Sequence, residues 1–509
     1  MRLAKYIIPL WILGFSNCQK TKKSNDDIKP NIVIIYADDM GYGDLACQNP
    51  DSKIPTPNLD QLASEGMRFT DAHSSSGICS PSRFALLTGQ YHWRRQHQIV
   101  ESFGPPMFWD GDITLPQILK DVGYFTACIG KWHMGWNWDF NEGAPSGERD
   151  MWGKMRPVYM LEDLNFSESI KGGPLDRGFD YYFGDGTINF PPYAWIENDQ
   201  MLEKPTEFVE HNGFSGTPPE GNWGSRPGPM VKDWDPYKVL PTLTSKATEF
   251  INQQEKDKPY FLYFALPSPH EPVIPNKEFL GKSDAGAYGD FMFQTDWVAG
   301  QVLKAIKEKG LEDNTVVIFT SDNGPERTAF ERAENYDHFS MGKFRGLKRD
   351  VWEGGHHVPF IVKWPGNFPS GSVNNSLISQ IDIMTTLAQL TNAEIPEGGA
   401  PDSRNFSAVW KGDTPEQPIR KSTVHNTYKN HYALRDGKWL YINSPTGEVS
   451  KMTESFKKLR AYEDFDTEGL LFDMSIDPEQ RNNLYAQEPE IVSQMKQMLE
   501  EEIKGAVAN

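Results

Sequence analysis

Five short runs of apolar, β-branched and aromatic residues, spaced through the first three-quarters of the chain, restrict its fold more than any other feature. They span Asn31 to Ala37, Tyr124 to Gly130, Tyr260 to Leu266, Val316 to Thr320 and Phe360 to Val362. Runs this short, with no polar alternation, predict strands buried on both faces. Segments of helical spacing or composition separate them, at Asn58 to Gly66, Leu115 to Val122, Leu243 to Gln254 and Phe291 to Gly310. Strand and helix in alternation predict a layered α/β domain.

The rhythm breaks between Trp136 and Tyr237, where Gly, Pro and aromatic clusters such as Phe190-Pro191-Pro192-Tyr193 read as a loop-rich insertion. Loops of this length in a compact domain are usually functional, and a substrate wall is the expected role. After a helix at Ile381 to Leu390, a Gly, Pro and Asn stretch at Asn392 to Ser407 leads to a C-terminal unit. There Tyr432 to Asn443 and Leu470 to Asp473 predict antiparallel strands, and Glu488 to Ala506 predicts a terminal amphipathic helix. A chain of 509 residues is long enough for two such units. The expected division is a larger domain over 30–395 and a smaller one over 410–509.

The first 18 residues read as an export signal: Arg2 and Lys5 precede an apolar run, Tyr6 to Phe15, too short to span a bilayer as a helix. Gly14-Phe15-Ser16-Asn17-Cys18 resembles a relaxed lipobox, with Cys18 as the lipidation site; the alternative is a plain secretory signal cut nearby. Residues 19–29 would then be a polar tether or a frayed end, and the protein a periplasmic or surface lipoprotein, or secreted. Membrane contact is expected only through such an anchor. A net charge of -19 disfavours attraction to nucleic acid or an anionic membrane. Three cysteines remain, Cys47, Cys79 and Cys128, which cannot all pair within one chain. Cys47 and Cys128 are expected either as buried small residues or as a disulfide.

Polar residues follow the apolar runs at their C-terminal ends, where open α/β sheets place their ligand crevice. Asp38 and Asp39 follow the first run, Lys131 and His133 the second, His270 the third, Asp322 and Asn323 the fourth. Asp38, Asp39, Asp322 and Asn323 offer hard oxygen donors, suited to calcium or magnesium rather than zinc. Taken singly, Asp38-Asp39 could cap a helix and Asp322-Asn323-Gly324 could be an ordinary turn. Cys79 precedes the helical run Phe84 to Leu87, so it stands at a helix N-terminus, where backbone N–H groups favour an anion. Its thiol could be a depressed-pKa nucleophile or a buried structural group; spacing does not choose.

Cys79-Ser80-Pro81-Ser82-Arg83 with Leu87-Thr88-Gly89 resembles the Cys-x-Pro-x-Arg signature of the type I sulfatases of the alkaline phosphatase superfamily. The resemblance runs from Asn31 to about Leu390, and Leu471-Phe472-Asp473, Asp477-Pro478 and Asn483-Leu484 resemble the family's C-terminal subdomain. It implies an alkaline-phosphatase-like mixed sheet flanked by helices, with a smaller C-terminal α+β subdomain. It also implies that Cys79 is converted to formylglycine by a formylglycine-generating or anaerobic maturation enzyme. Residue 79, Asp38, Asp39, Asp322 and Asn323 would hold Ca2+, with Mg2+ the lesser alternative. Arg83 would steady residue 79, and Lys131 and Lys348 would hold sulfate. His133 would serve the formylglycine hydroxyl, and His270 would protonate the leaving oxygen. One departure from the family pattern is His357, where many relatives carry Arg.

Two rival readings differ in chemistry. A phosphatase or phosphodiesterase of the same superfamily would carry a Ser or Thr nucleophile and His-rich zinc ligands, absent from the matched positions. A non-catalytic glycan-binding lipoprotein would tolerate loss of Lys131, His133, His270 or Lys348, and all are present. The export signal and the aromatic insertion favour a sulfated polysaccharide or oligosaccharide as substrate, of algal ulvan or carrageenan type or a glycosaminoglycan. Arg94, Arg95 and His357 are the expected substrate-binding residues.

Overall fold

A computed structural model of the chain describes residues 29–505 apart from 152, 211–219 and 223. The expected export signal, Cys18 and most of the expected tether lie outside the described residues. Among the described residues no helix is long and apolar enough to cross a membrane.

Ten strands form one mixed sheet: β1 (Asn31–Ala37), β2 (Met67–Phe69), β3 (Phe125–Lys131), β4 (Tyr181–Gly186), β5 (Ile196–Glu197), β6 (Gln200–Met201), β7 (Tyr260–Ala265), β8 (Thr315–Ser321), β9 (Phe360–Lys363) and β10 (Ser372–Asn374). Their order across the sheet is β10-β2-β9-β8-β1-β7-β3-β4-β5-β6. The five apolar runs are β1, β3, β7, β8 and β9. The four strands β8, β1, β7 and β3 at the centre run parallel. Antiparallel β9 and β2 extend the sheet on one side.

Both faces of β1 are covered, which is why its sequence lacks polar alternation. Ile32, Ile34 and Tyr36 pack in one core with Leu115 and Ile118 of α3 (Leu115–Asp121) and Ile383 and Leu387 of α6 (Asp382–Thr391). Val33, Ile35 and Ala37 pack on the other face with α1 (Pro57–Glu65), α4 (Val239–Gln253) and α5 (Gly286–Glu308), through Leu59, Leu243 and Val302. Truncating a side chain as enclosed as Ile34 to Ala costs about 2–5 kcal/mol. The first turn of α2 (Cys79–Thr88) will matter for the site.

The segment from Trp136 to Tyr237 is not loop alone. It supplies β4, which pairs parallel with β3, and the β5–β6 hairpin that ends the sheet. Downstream, β11 (Ser422–Tyr428), β12 (His431–Asp436), β13 (Trp439–Ile442) and β14 (Leu470–Asp473) form an antiparallel sheet. The terminal helix α7 (Pro489–Gly505) covers it through Val492, Met495 and Leu499. Cys47, Cys79 and Cys128 are all free thiols, so the disulfide alternative for Cys47 and Cys128 is wrong. Cys128 is buried inside β3, as a small core residue.

Candidate active site

Register brings the catalytic candidates together. Ala37 is level with Ser321, Tyr36 with Ala265, and Ala265 with Gly130, so β1, β8, β7 and β3 end at one edge. Asp38 and Asp39, Asp322 and Asn323, and Lys131 leave that edge at once; His133 and His270 follow a few residues later. The turn after β8 needs glycine: a Cβ on Gly324 would lie 1.9 Å from the Gly354 carbonyl oxygen. The Glu353-Gly354-Gly355 segment thereby packs directly under Asp322 and Asn323.

α2 enters the same edge from the side, with Cys79 as its first residue and Ile78 as N-cap. Pro81 is tolerated in the first turn, where no intrahelical donor is lost. Arg83 lies four residues on, one turn along the same helical face as Cys79. Its Nε and Nη2 donate to Asp322 Oδ2 at 3.0 and 2.8 Å, and Nη2 lies 3.4 Å from Asp38 Oδ1. Cys79 Sγ is 3.4 Å from Asp38 Oδ1 and 3.9 Å from Asp39 Oδ1. Burial and the charge of Asp322 push the Cys79 thiol well above its usual range, so an unmodified thiol here is no ready nucleophile.

Two lysines close the cluster. Lys131 Nζ donates to Asp38 Oδ2 at 2.6 Å and Lys348 Nζ to Asp39 Oδ2 at 2.7 Å. Asn323 Nδ2 donates to Asp39 Oδ1 at 2.7 Å, whereas Asn323 Oδ1 is buried and accepts nothing. Burial alone would raise Asp38, but Lys131, His270, Arg83 and Lys348 hold it well below the usual carboxylate range. Asp322, by contrast, is pushed up to about 7 by burial and by the negative charge of Asp38. Three converging carboxylates and an orphaned amide oxygen form a hard-oxygen set with room for one more positive charge, which fits a calcium-type cation.

Two of the residues are held in the left-handed backbone region, Asp39 at φ 61° and His133 at φ 54°. Such strain costs about 1–3 kcal/mol per residue and persists where surrounding structure fixes it. His133 Nε2 donates to the Val100 carbonyl at 3.0 Å, leaving the buried Nδ1 without a partner, and burial and the charge of Lys131 hold the ring well below its usual range, so it is neutral. His270 Nδ1 donates to the Glu271 carbonyl, and Nε2 lies 3.6 Å from Asp39 Oδ2. Burial and the positive charge of Lys348 lower His270 to about 4.

A cavity of about 510 Å³ opens over this cluster. His133, His270 and Lys348 line it, together with Asn189, Phe190 and Arg226 of the insertion, Glu271, Glu326, Arg327 and Arg349, and Val449, Ser450 and Lys451 from the C-terminal subdomain. The expected substrate residues are elsewhere. Arg94 is paired with Asp402 at 2.8 Å and Arg95 with Asp112 at 2.6 Å. His357 is 3% exposed, stacks on Phe344 and bonds Glu353 at 2.9 Å. None of the three lines the cavity; each is committed to a packing or ion-pair role.

A sulfatase family model matches residues 30–393, and a model of the C-terminal region of N-sulphoglucosamine sulphohydrolase matches residues 344–505. The chain belongs to the sulfatase family. This sulfatase is a sulfuric ester hydrolase similar to the N-acetylgalactosamine-6-O-sulfatase of Bacteroides thetaiotaomicron, at 33% identity over 508 residues, covering 95% of each chain. It is 30% identical to human arylsulfatase A over 495 residues, covering 92% of this chain and 87% of the relative. A solved Bacteroides thetaiotaomicron sulfatase described with the metabolism of multiple glycosaminoglycans superimposes with a TM-score of 0.76 at 31% identity, covering 93% of this sulfatase and 98% of that chain. Ps i-CgsB, solved with k-i-k-neocarrahexaose, shares the fold at a TM-score of 0.66 and 22% identity, covering 93% and 92%.

Glu271, Glu326, Arg349 and the Val449–Lys451 wall escape the sequence reading. Glu271 and Arg349 adjoin His270 and Lys348, a signal that adjacency could have raised. The C-terminal wall has no local signal, since it meets the site only through tertiary packing.

Proposed function

We propose that this sulfatase is exported and removes a sulfate ester from a glycosaminoglycan-type oligosaccharide, with 6-sulfated N-acetylgalactosamine the first candidate, using formylglycine at residue 79 and a calcium ion. The observation that carries the catalytic part is the meeting of residue 79 at a helix N-terminus with three carboxylates, three buried cations and an unpaired Asn323 oxygen. The substrate part rests on the relatives named for N-acetylgalactosamine 6-sulfate, which cover nearly the whole chain.

Asp38, Asp39, Asp322, Asn323 and residue 79 would hold the cation. When bound, calcium supplies a Lewis acid for the sulfate oxygens and for the nucleophilic oxygen. The carboxylates Asp38, Asp39 and Asp322 balance the charges of Arg83, Lys131 and Lys348, so a divalent cation turns the cluster positive, as an anionic sulfate ester requires. Lys131 and Lys348 then have ammonium groups to spare for the sulfate oxygens.

Cys79 Sγ stands in for a hydroxyl oxygen of the hydrated formylglycine. Arg83 and the N-terminal amides of α2 stabilise negative charge at that position. The unpartnered Nδ1 of His133 takes the hydroxyl proton. His270, neutral at its lowered pKa, gains basicity as the sulfate anion docks beside it, takes up a proton from solvent at Nε2 and passes that proton to the leaving alcohol. The cavity walls keep the remaining sugar in place and limit water.

The test is a desulfation screen across defined sulfated mono- and oligosaccharides with enzyme whose residue-79 peptide has been weighed. The expected result is aldehyde mass at residue 79 and turnover of 6-sulfated N-acetylgalactosamine. Full activity with an unmodified thiol, or turnover of aryl sulfates alone, overturns the proposal.

A further inference from the structure

Two acidic side chains stand on the wall of the catalytic cavity, and their situations differ. Glu326 is committed: Arg349 donates to its two carboxylate oxygens at 2.6 and 2.8 Å. Glu271 is not. Its Oε1 is enclosed yet accepts no hydrogen bond. Burial, followed by the negative charge of Glu326, raises its carboxyl to about 8. A polar atom enclosed without a partner is destabilising, and such atoms are few in folded proteins. The position is also specific. Glu271 directly follows His270, whose Nδ1 bonds the Glu271 carbonyl and whose Nε2 lies 3.6 Å from Asp39. Glu271 thus stands on the cavity wall one residue beyond His270.

We infer that Glu271 forms a sugar subsite, in which its carboxyl oxygen accepts a hydrogen bond from a hydroxyl or amide N–H on the sulfated residue itself. This deepens the glycan reading proposed above and rests on it. The missing partner is a donor that arrives with the substrate. A sulfated sugar carries hydroxyl donors close to its ester, and Asn189 Oδ1 on the same wall is another enclosed acceptor without a partner. A site built to bond a substrate donor discriminates strongly against an analogue lacking it, because the protein group is then left unpaired.

The experiment compares wild type, E271A and E271Q, each verified to carry the aldehyde at residue 79, on 6-sulfated N-acetylgalactosamine and on analogues that each lack one hydroxyl or the amide. E271A is expected to lower kcat/KM roughly 10- to 100-fold on the parent sugar. On one analogue, the one missing the donor, that deficit should shrink to within about threefold, as a double-mutant cycle requires. E271Q keeps an acceptor oxygen and should recover most of the parent activity. An equal E271A deficit on every analogue overturns the subsite, as does an E271Q loss matching E271A, which would make the carboxyl a proton donor to the leaving group. Wild-type enzyme that hydrolyses aryl sulfates but none of the sulfated sugars overturns the glycan reading itself, and the Glu271 assignment with it.

Discussion

Replacing Asp350 by Ala should loosen the cavity from its C-terminal side. Asp350 is fully enclosed two residues after Lys348, and its carboxyl accepts three backbone N–H groups, from Leu347 at 3.0 Å, Val449 at 2.7 Å and Ser450 at 2.9 Å. Ser450 Oγ in turn donates to the Lys348 carbonyl at 2.7 Å. The pair clamps the Val449–Lys451 wall onto the segment carrying Lys348 and Arg349. Burial raises the Asp350 carboxyl to about 8 in spite of its three bonds, so at neutral pH it accepts them uncharged, at about 0.5–1.5 kcal/mol each. Loss of the bond to Val449 or Ser450 should then speed exchange of that amide roughly 2- to 12-fold, at about 1.4 kcal/mol per decade. Hydrogen exchange read by mass spectrometry over 444–453 measures this directly. The same variant should lower kcat/KM, because Lys348 loses its anchor. Unchanged exchange over that segment, or faster exchange with wild-type kcat/KM, refutes the clamp.

Arg83→Met removes the buried cation hydrogen-bonded to Asp322 and should cost about 3–5 kcal/mol in urea unfolding; adding Asp322→Asn should restore part of the stability and none of the turnover. Exhaustive chelation should abolish activity and lower Tm, and calcium at 100 times its Kd should return about 2.7 kcal/mol of stability. Asn323→Leu should keep the fold and lose the calcium response; an undiminished calcium shift in that variant rules out the orphaned oxygen as a ligand. Burial, outweighing a hydrogen bond to Asn426, lowers His92 to about 3. The folded state therefore binds this proton less readily than the unfolded one. Stability from a neutral His92 is full above about pH 6.5 and falls by about 1.4 kcal/mol per pH unit between there and pH 3. His92→Asn should flatten that slope in urea titrations, and an unchanged slope would place the acid sensitivity elsewhere.

The parts of the molecule written in local sequence were legible, and the parts written in distant pairings were not. β1, β3, β7, β8 and β9 could be read because burial on both faces removes polar alternation from the chain itself. The polar residues at their ends follow immediately, so their convergence needed only parallel strands in register. β4 hid in the insertion because Gly184, Asp185 and Gly186 interrupt its apolar pattern. Arg94 and Arg95 looked like free cations because Asp402 lies 308 residues from Arg94 and nothing nearby announced Asp112 as the partner of Arg95. His357 looked polar and available, yet its ring is spent on Phe344 and its nitrogens on Glu353 and the Thr70 carbonyl. The cavity wall at Val449–Lys451 depends on Asp350, a contact across about a hundred residues that no local pattern encodes.

The enclosure of Cys79 fixes a timetable. Its side chain has no solvent exposure, and the first turn of α2 is packed on every side. A second enzyme would have no access to this thiol in the finished fold. If residue 79 is converted to formylglycine, as proposed above, the conversion has to come before the strands close around it. On that proposal a molecule that folds first would keep its thiol, and refolding alone would leave it inert. In a heterologous host, the fraction of working enzyme should track the race between folding and maturation rather than the total yield of soluble protein.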